Sequence, residues 1–282
     1  MNAQLLIAVF VIASFVTLAS HAQMVVTKDL AYVDSGDFPE GMDLLDIYMP
    51  VDAEDTPVII FFHWGALIAD DKSDGEVLGQ RFTAMGIGLV SSNYRLSPDV
   101  SHPCHTEDAA AAVAWVVKNI ASYGGDPNNV YVAGHSSGGY LAALLAVDPS
   151  YLESVAVERS AIQGTILISP FLYVEETAPV RIESDPIYNS IWGEEAEGWL
   201  AASVSPHIGP DRDNILVIYA DGDADWRKDQ NERFASAMTA AGNVNVRAMM
   251  VSNRTHGSLV FSILDEDDQI GNLVSKFIGE RK

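Results

Sequence analysis

The residues most clearly able to do chemistry are a serine and the glycines on either side of it. Residues 134–138 read Gly-His-Ser-Ser-Gly, after an apolar run that ends at Val132 and before a helix-like run that starts at Tyr140. A strand that turns sharply into a helix lifts the central serine hydroxyl out of the backbone, and the flanking glycines avoid clashes in that turn. The pattern predicts Ser136 as a nucleophile. An ordinary glycine-rich turn is the alternative.

A serine hydroxyl needs a base to take its proton, and the base needs an anion to orient it. At nucleophile turns of this kind the chain order is serine, acid, histidine. His256 follows a predicted strand and precedes the final predicted helix, so we expect it to be the base rather than a structural histidine. Asp221, Asp223 and Asp225 all follow another predicted strand. The turn lets one of them reach His256, and we expect Asp223, with Asp225 second.

Two metal-site interpretations of the sequence are weak. The first is a calcium loop, whose spacing fits five acidic residues: Asp221, Asp223, Asp225, Asp229 and Glu232. Trp226 occupies the sixth position, where such a loop needs glycine, and a strand precedes the loop instead of a helix. The second is His102, Cys104 and His105, which lack a fourth ligand. We expect no metal.

The loop after a predicted strand at 58–62 reads His-Trp-Gly-Ala from His63 to Ala66. Backbone N–H groups of Trp64 and Gly65, together with the N–H of Ser137, can stabilise the oxyanion of a tetrahedral intermediate. His63 would brace this loop without moving a proton. A plain turn at the end of the strand is the alternative.

Alternating strands and helices must position these residues. Predicted strands cover 44–48, 58–62, 87–92, 130–133, 165–168, 215–219 and 244–250, and predicted helices cover 75–85, 106–121, 138–146, 230–241 and 269–278. Apolar strands separated by helices indicate a mostly parallel central sheet with helices on both faces.

Residues 171–213 break the alternation and predict a small cap insertion. Its aromatic residues either line an apolar pocket or pack the core of the insertion itself.

Length and composition indicate a single large domain. The chain has 282 residues, of which 48% are apolar, and 16 basic residues stand against 39 acidic ones, for a net charge of −23. A chain this acidic repels nucleic acid and anionic membranes. The one cysteine, Cys104, excludes an internal disulfide bond, so we expect a buried or incidental thiol.

Residues 1–22 predict a secretory signal peptide. The stretch 5–18 is almost wholly apolar and uncharged, and small residues stand at Ser20 and Ala22, as cleavage requires. The region before it lacks lysine and arginine, so an uncleaved membrane anchor is the alternative. With cleavage, the mature domain covers 23–282, is secreted or periplasmic, and has no stable membrane association.

The chain resembles the α/β-hydrolase superfamily, and within it the small carboxylesterases of the hormone-sensitive-lipase and acetyl-xylan or feruloyl-esterase type, near the kynurenine formamidases. The matching segments are 45–50 (Leu-Asp-Ile-Tyr-Met-Pro), 63–65 (His-Trp-Gly), 94–98 (Tyr-Arg-Leu-Ser-Pro), 123–130 (Tyr-Gly-Gly-Asp-Pro-Asn-Asn-Val), 134–139 (Gly-His-Ser-Ser-Gly-Gly), 205–206 (Ser-Pro), Asp223 and 256–257 (His-Gly). The family usually has His-Gly-Gly in the oxyanion loop, whereas this chain has Trp64 in place of the first glycine. We expect the Trp64 indole to narrow the acyl pocket or, as the alternative, to shift the loop.

The resemblance implies a serine hydrolase with catalytic Ser136, Asp223 and His256 that needs no cofactor and cleaves small carboxylic esters through an acyl-enzyme. An arylformamidase or other small amide hydrolase is the first alternative. A non-catalytic binding protein on the same fold is the second. The sequence leaves the acyl and alcohol groups and the oligomeric state open.

Overall fold

The computed structural model describes residues 24–34, 36, 38–265 and 268–280. Its strands are β1 (Met24–Ala31), β2 (Leu44–Pro50), β3 (Thr56–Phe62), β4 (Gly88–Ser92), β5 (Gly125–His135), β6 (Ile162–Ile168), β7 (Ile215–Ala220) and β8 (Val246–Val251). They form one eight-stranded sheet in the order β1-β2-β4-β3-β5-β6-β7-β8. β2 pairs antiparallel with β1 and β4, and the remaining pairs are parallel.

Both faces of the central strands of the sheet are buried. Along β3, Val58, Ile60 and Phe62 point into one apolar cluster, while Ile59 and Phe61 point into the other. Successive strand residues point to opposite faces, so a continuous apolar strand needs cover on each side. The sheet with helices on both faces confirms the predicted α/β fold class.

Helices connect the strands. They are α1 (Glu76–Thr83), α2 (Cys104–Asn119), α3 (Ser137–Val147), α4 (Pro149–Ser154), α5 (Val174–Ser184), α6 (Asn189–Trp192), α7 (Ala196–Ala201), α8 (Asp225–Ala240), α9 (Ser258–Phe261) and α10 (Ile270–Gly279). Every residue of α3 is buried. This matches its apolar sequence, because a helix that is apolar on all sides must be buried on all sides.

Three of the differences from the prediction concern β1, β5 and α8. β1 was not predicted, since its sequence, Met-Val-Val-Thr-Lys-Asp-Leu-Ala, does not alternate apolar and polar residues and lies beside the predicted leader. β5 begins at Gly125, earlier than the predicted 130. α8 begins at Asp225, whereas the predicted helix began at 230. The earlier start was missed because the first turn of α8 is charged and carries no apolar repeat.

The segment 171–213 is helical and contains α5, α6 and α7. Trp192 is buried, with its ring 5.6 Å from that of Phe171, which in turn stacks on Tyr140 of α3 at 4.7 Å. Tyr173 is also buried in the same apolar cluster. These aromatic side chains fasten the insertion to the main core instead of forming a separate one.

Within the described residues, every helix is too short or too polar to cross a lipid bilayer. The predicted signal peptide at 1–22 lies outside the described residues.

Candidate active site

Ser136 lies at the sharp turn between β5 and α3. Its backbone has φ 54° and ψ −114°, a left-handed conformation that is strained for a serine. The N–H of Ser136 donates a 2.8 Å hydrogen bond to the carbonyl of Ile168, which fixes the turn against β6. A Cβ at Gly134 would collide with the backbone of Gly138, so both glycines are required by space.

His256 and Asp223 are in direct contact. Nδ1 of His256 lies 2.8 Å from Oδ1 of Asp223, which is almost fully buried. A carboxylate oxygen accepts, so Nδ1 carries the proton and Nε2 is left as the acceptor. The sequence predicted this pair, and the structure brings its two members together from the loops that follow β8 and β7.

Ser169 completes the hydrogen bonding of the carboxylate, and sequence reasoning missed it. Its Oγ donates to Oδ2 of Asp223 at 2.7 Å and lies 3.0 Å from Nδ1 of His256. The N–H of Ala220 donates to the same Oδ2 at 2.8 Å. Ser169 directly follows β6, and a polar residue at the carboxyl end of a buried strand is the signal that could have found it.

Arg227 is a second residue that the sequence did not reveal. Its side chain is 6% exposed, and Nη1 donates to the carbonyl of Ser169 at 2.8 Å. Its Nε lies 4.0 Å from Oδ1 of Asp223. Burial lowers the pKa of Arg227 to about 10, so it stays charged at neutral pH.

Opposing effects act on the pKa of Asp223. Burial raises it, but the hydrogen bonds from His256, the Ala220 N–H and Ser169 outweigh burial and hold the pKa below its usual value. The carboxylate is therefore ionised at neutral pH and can balance a positive charge on His256.

The other two candidate aspartates have different partners. Asp221 accepts hydrogen bonds from the N–H groups of Asn253 and Arg254, at 2.9 and 3.1 Å, and so holds the loop that carries His256. These bonds lower its pKa. Asp225 is 99% exposed and pairs with Lys228 at 2.9 Å. Of the three aspartates, Asp223 is the one that contacts the histidine.

His135 links the serine turn to the histidine loop. Its Nε2 lies 3.0 Å from the carbonyl oxygen of His256, and the two rings are 4.6 Å apart. Burial, followed by the nearby charge of His256, lowers the pKa of His135 to about 3. A neutral His135 with its proton on Nε2 can donate to that carbonyl. Ser136 is thus held beside the His256 loop by its own neighbour.

The loop after β3 is braced by His63 and Tyr94. Nδ1 of His63 lies 2.8 Å from the carbonyl of Trp64, and the hydroxyl of Tyr94 donates to the carbonyl of His63 at 3.0 Å. The two rings stack at 4.4 Å. Burial lowers the pKa of His63 to about 4, so it is neutral and fits the expected bracing role.

Gly65 adopts φ 102°, and a Cβ there would collide with the carbonyl oxygen of Ala69. Ser137 is the first residue of α3, and the first N–H groups of a helix have no partner inside it.

The indole of Trp64 makes edge contacts with Phe261 at 5.0 Å and with His135 at 5.5 Å. Trp64 therefore lies between its own loop and the His256 loop.

A buried lysine anchors the far end of this loop. Nζ of Lys72 contacts Asp46 at 2.6 Å and Asp29 at 2.7 Å, which joins the loop to β2 and β1. The N–H of Lys72 donates to Asn93, whose side chain in turn donates to Asp71 at 2.8 Å. These bonds fix the loop at both ends.

The described residues contain no cluster of histidine, cysteine and acidic side chains placed to hold a metal ion. Cys104 is a half-buried free thiol at the start of α2. His105 instead contacts the hydroxyl of Ser97, at 3.1 Å.

The sheet order and the likeness to solved structures show the α/β-hydrolase fold. Residues 45–163 match the family model described as BD-FAE. That match ends after the serine turn and before the aspartate and the histidine.

Several curated proteins are similar to this chain. Esterase LipQ of Mycobacterium tuberculosis is 26% identical over 90% of this chain and 62% of its own length. The probable isoprenylcysteine alpha-carbonyl methylesterase ICME of rice (Oryza sativa) is 26% identical over 78% of this chain and 56% of its own length. The chain thus spans a little over half of each of these relatives.

Among solved structures, a thermophilic esterase from Thermogutta terrifontis with bound propionate has a TM-score of 0.69. It is 23% identical, and the match covers 93% of this chain and 94% of that one. This similarity supports the fold along nearly the whole chain.

Proposed function

We propose that the protein is a serine carboxylesterase that cleaves small carboxylic esters. The observation that carries the proposal is the 2.8 Å contact between His256 and buried Asp223, beside the turn that presents Ser136. This arrangement supplies an oriented base on a loop that contacts His135, the neighbour of a strained and half-buried serine.

The residues would act in two stages. Ser136 attacks the ester carbonyl while Nε2 of His256 takes the hydroxyl proton, and His256 then delivers that proton to the leaving alcohol. Water repeats the sequence on the acyl-enzyme and releases the acid. Asp223 holds the imidazole with its proton on Nδ1 and balances its charge.

The N–H groups of Trp64, Gly65 and Ser137 would stabilise the oxyanion. Removal of one donor from such a site costs about 10²- to 10³-fold in kcat. The bracing of the loop by His63 and its anchoring through Lys72 support this role, because donors must be held in place before the charge develops.

The names of the relatives support ester substrates. LipQ is named an esterase, the rice protein a methylesterase, and the Thermogutta structure holds propionate, a short acid. Together with the position of Trp64 beside Phe261, they favour a short acyl group for this chain. The predicted leader supports a secreted or periplasmic protein.

Labelling with a fluorophosphonate probe tests the nucleophile. The wild type should be labelled and lose activity, and Ser136→Ala should not react. Ser137→Ala is the matched control. It removes the hydroxyl of the residue next to Ser136, and that hydroxyl should be dispensable for labelling. A folded wild type that resists the probe would favour the non-catalytic binding protein.

Comparison of p-nitrophenyl acetate with N-formylkynurenine tests the bond that is cleaved. We expect efficient turnover of the ester and slow turnover of the formamide. A higher kcat/KM for the formamide would replace the esterase proposal with an arylformamidase.

A further inference from the structure

Two consecutive residues at the end of β6 contact all three residues proposed for catalysis. The carbonyl of Ile168 accepts a 2.8 Å hydrogen bond from the N–H of Ser136. The hydroxyl of the next residue, Ser169, lies 2.7 Å from Oδ2 of Asp223 and 3.0 Å from Nδ1 of His256. β6 lies between β5 and β7 in the sheet. Its end is therefore a common reference point for the serine turn and for the acid–base pair.

The hydroxyl of Ser169 can serve both of its neighbours at once. An ionised carboxylate only accepts hydrogen bonds, so the single hydroxyl hydrogen goes to Asp223. The hydroxyl oxygen still has lone pairs that can accept from the N–H at Nδ1 of His256. That N–H therefore has two acceptors, Oδ1 of Asp223 at 2.8 Å and the Ser169 oxygen at 3.0 Å.

The two donors to Oδ2 of Asp223 come from different parts of the fold. The N–H of Ala220 is three residues away in the chain, so it moves with the aspartate loop. Ser169 is 54 residues away and follows a different strand. Two donors at Oδ2 hold the carboxylate in one orientation and keep Oδ1 on the histidine. Without the Ser169 hydroxyl, a single backbone N–H would have to maintain that orientation.

The backbone of Ser169 is held from two sides. Its N–H donates to the carbonyl of Ile218 at 2.7 Å, and its carbonyl accepts from Arg227 at 2.8 Å. The residue is fully buried. The hydroxyl therefore has a fixed place, and it acts on the reaction through its neighbours rather than through contact with a substrate.

Ser169 has a backbone conformation that suits glycine better than serine. Its φ is 47°, in the left-handed region that residues with a Cβ seldom adopt. Strain of this kind persists where the surrounding structure enforces it, and such residues cluster at functional sites. Glycine would relieve the strain but would lack the hydroxyl. The contacts of that hydroxyl with Asp223 and His256 offset the strain.

We propose that Ser169 is a positioning residue for catalysis, whose hydroxyl holds Asp223 and His256 in the arrangement that activates Ser136. The inference rests on the proposed esterase function and adds a fourth residue to it. When His256 takes the proton of Ser136, positive charge develops on the imidazole, and the N–H at Nδ1 already has both of its acceptors in place.

Ser169→Ala removes the hydroxyl and tests the proposal. We expect kcat for p-nitrophenyl acetate to fall about tenfold, because hydrogen bonds to charged groups are stronger than those between neutral groups. KM should stay within about twofold, since His256 acts in both stages and Ser169 does not contact the substrate. The rate of labelling by the fluorophosphonate should fall in parallel with kcat, because it depends on the same activation of Ser136.

Ser169→Gly separates the effect of the hydroxyl from that of the backbone. Glycine adopts a φ of 47° without strain, so this variant should unfold at a higher temperature than Ser169→Ala. Its kcat should nevertheless be as low as that of Ser169→Ala, because both variants lack the hydroxyl.

Ser203→Ala is the matched control. Ser203 is also fully buried, and its hydroxyl donates to the carbonyl of Leu172 at 3.3 Å inside the insertion. Loss of this buried hydrogen bond should lower the melting temperature and leave kcat unchanged.

A kcat of Ser169→Ala within about twofold of the wild-type value would overturn the proposal. A kcat of Ser169→Gly that recovers together with its melting temperature would also overturn it, because the role of Ser169 would then be structural. If the wild type neither cleaves the ester nor reacts with the fluorophosphonate, the esterase function itself fails. A reactive wild type with an unchanged Ser169→Ala variant rejects the positioning role alone.

Discussion

The guanidinium of Arg227 donates a 2.8 Å hydrogen bond to the carbonyl oxygen of Ser169, the residue whose hydroxyl bridges Asp223 and His256. A buried cation therefore lies behind the acid–base pair. It favours the ionised carboxylate of Asp223, whose Oδ1 lies 4.0 Å from its Nε.

Removal of this cation should lower turnover through the carboxylate that it supports. Arg227→Met leaves the Ser169 carbonyl without its 2.8 Å donor and Asp223 without the nearby positive charge, so kcat should fall by about tenfold. Arg227→Lys is the control and should keep most of the wild-type kcat. Steady-state rates with p-nitrophenyl acetate measure the difference, and an unchanged kcat in Arg227→Met would show that Asp223 does not depend on the arginine.

Asp223 and Asp225 should respond very differently to the same substitution. Asp223→Asn should lower kcat about 10³- to 10⁴-fold, because the imidazole loses its orienting anion. Asp225→Asn removes a side chain that is 99% exposed and should stay within about twofold. Steady-state rates with p-nitrophenyl acetate and circular dichroism of both variants check this prediction. The assignment of the acid would be wrong if Asp225→Asn caused the larger loss.

Gly138 should not tolerate a methyl group. A Cβ there would collide with the carbonyl oxygens of Phe62 and His63, so Gly138→Ala should lower the free energy of unfolding by about 3 kcal/mol and abolish activity. At Gly209 the nearest atom to a new Cβ is 3.9 Å away, and Gly209→Ala should be neutral or slightly stabilising. Urea unfolding of the two variants measures the difference.

Acid should destabilise the protein through its buried histidines. Burial lowers the pKa of His63 and His102 to about 4, and that of His105 and His135 to about 3, from 6.5. The unfolded chain then binds more protons than the folded one, so stability falls as the pH drops below 6.5 and the loss levels off near pH 3–4. Each histidine contributes up to about 1.4 kcal/mol per pH unit.

Urea unfolding at pH 7, 6 and 5 measures this slope. His105→Asn removes one of the four titrations without changing the candidate active site, so its slope should be shallower by about one proton. A wild-type stability that is constant from pH 7 to 5 would contradict the prediction.

Trp64 should restrict the length of the acyl group. Trp64→Ala keeps the backbone N–H but removes the indole that lies between Phe261 and His135. The ratio of kcat/KM for p-nitrophenyl hexanoate to that for the acetate should rise about tenfold. Trp199→Ala is the control, because its indole N–H bonds to the carbonyl of Gly193 within the insertion. No change in the ratio with Trp64→Ala would place the acyl group elsewhere.

Strands and helices were predicted correctly from the sequence where the pattern of apolar residues matches their burial in the fold. Apolar runs predicted the parallel strands β3 to β7, because these strands are covered on both faces. The edge strand β1 was missed because it is largely exposed and its sequence lacks the period-two alternation of a half-buried strand. The start of α8 was missed because Asp225 and its neighbours form a charged first turn.

At the candidate site, the residues with conventional chemistry could be named in advance. Ser136, Asp223 and His256 follow from residue type, chain order and position after strands. The position of Ser169 directly after β6 could have drawn attention to it, but its role and that of Arg227 come from contacts between segments 58 residues apart in sequence. Ser169 precedes a proline and Arg227 lies in a charged helix, so neither residue stands out in the sequence. Only the fold brings the two into contact.

The position of β8 has a consequence for how the protein would fail on heating. In the described sheet β8 pairs with β7 alone and carries exposed Met249 and Met250, whereas β5, which leads into Ser136, is paired on both sides. An outer strand frays before a central one. Gentle warming should therefore abolish the proposed activity reversibly, by detaching the strand before His256 while the centre of the sheet stays intact.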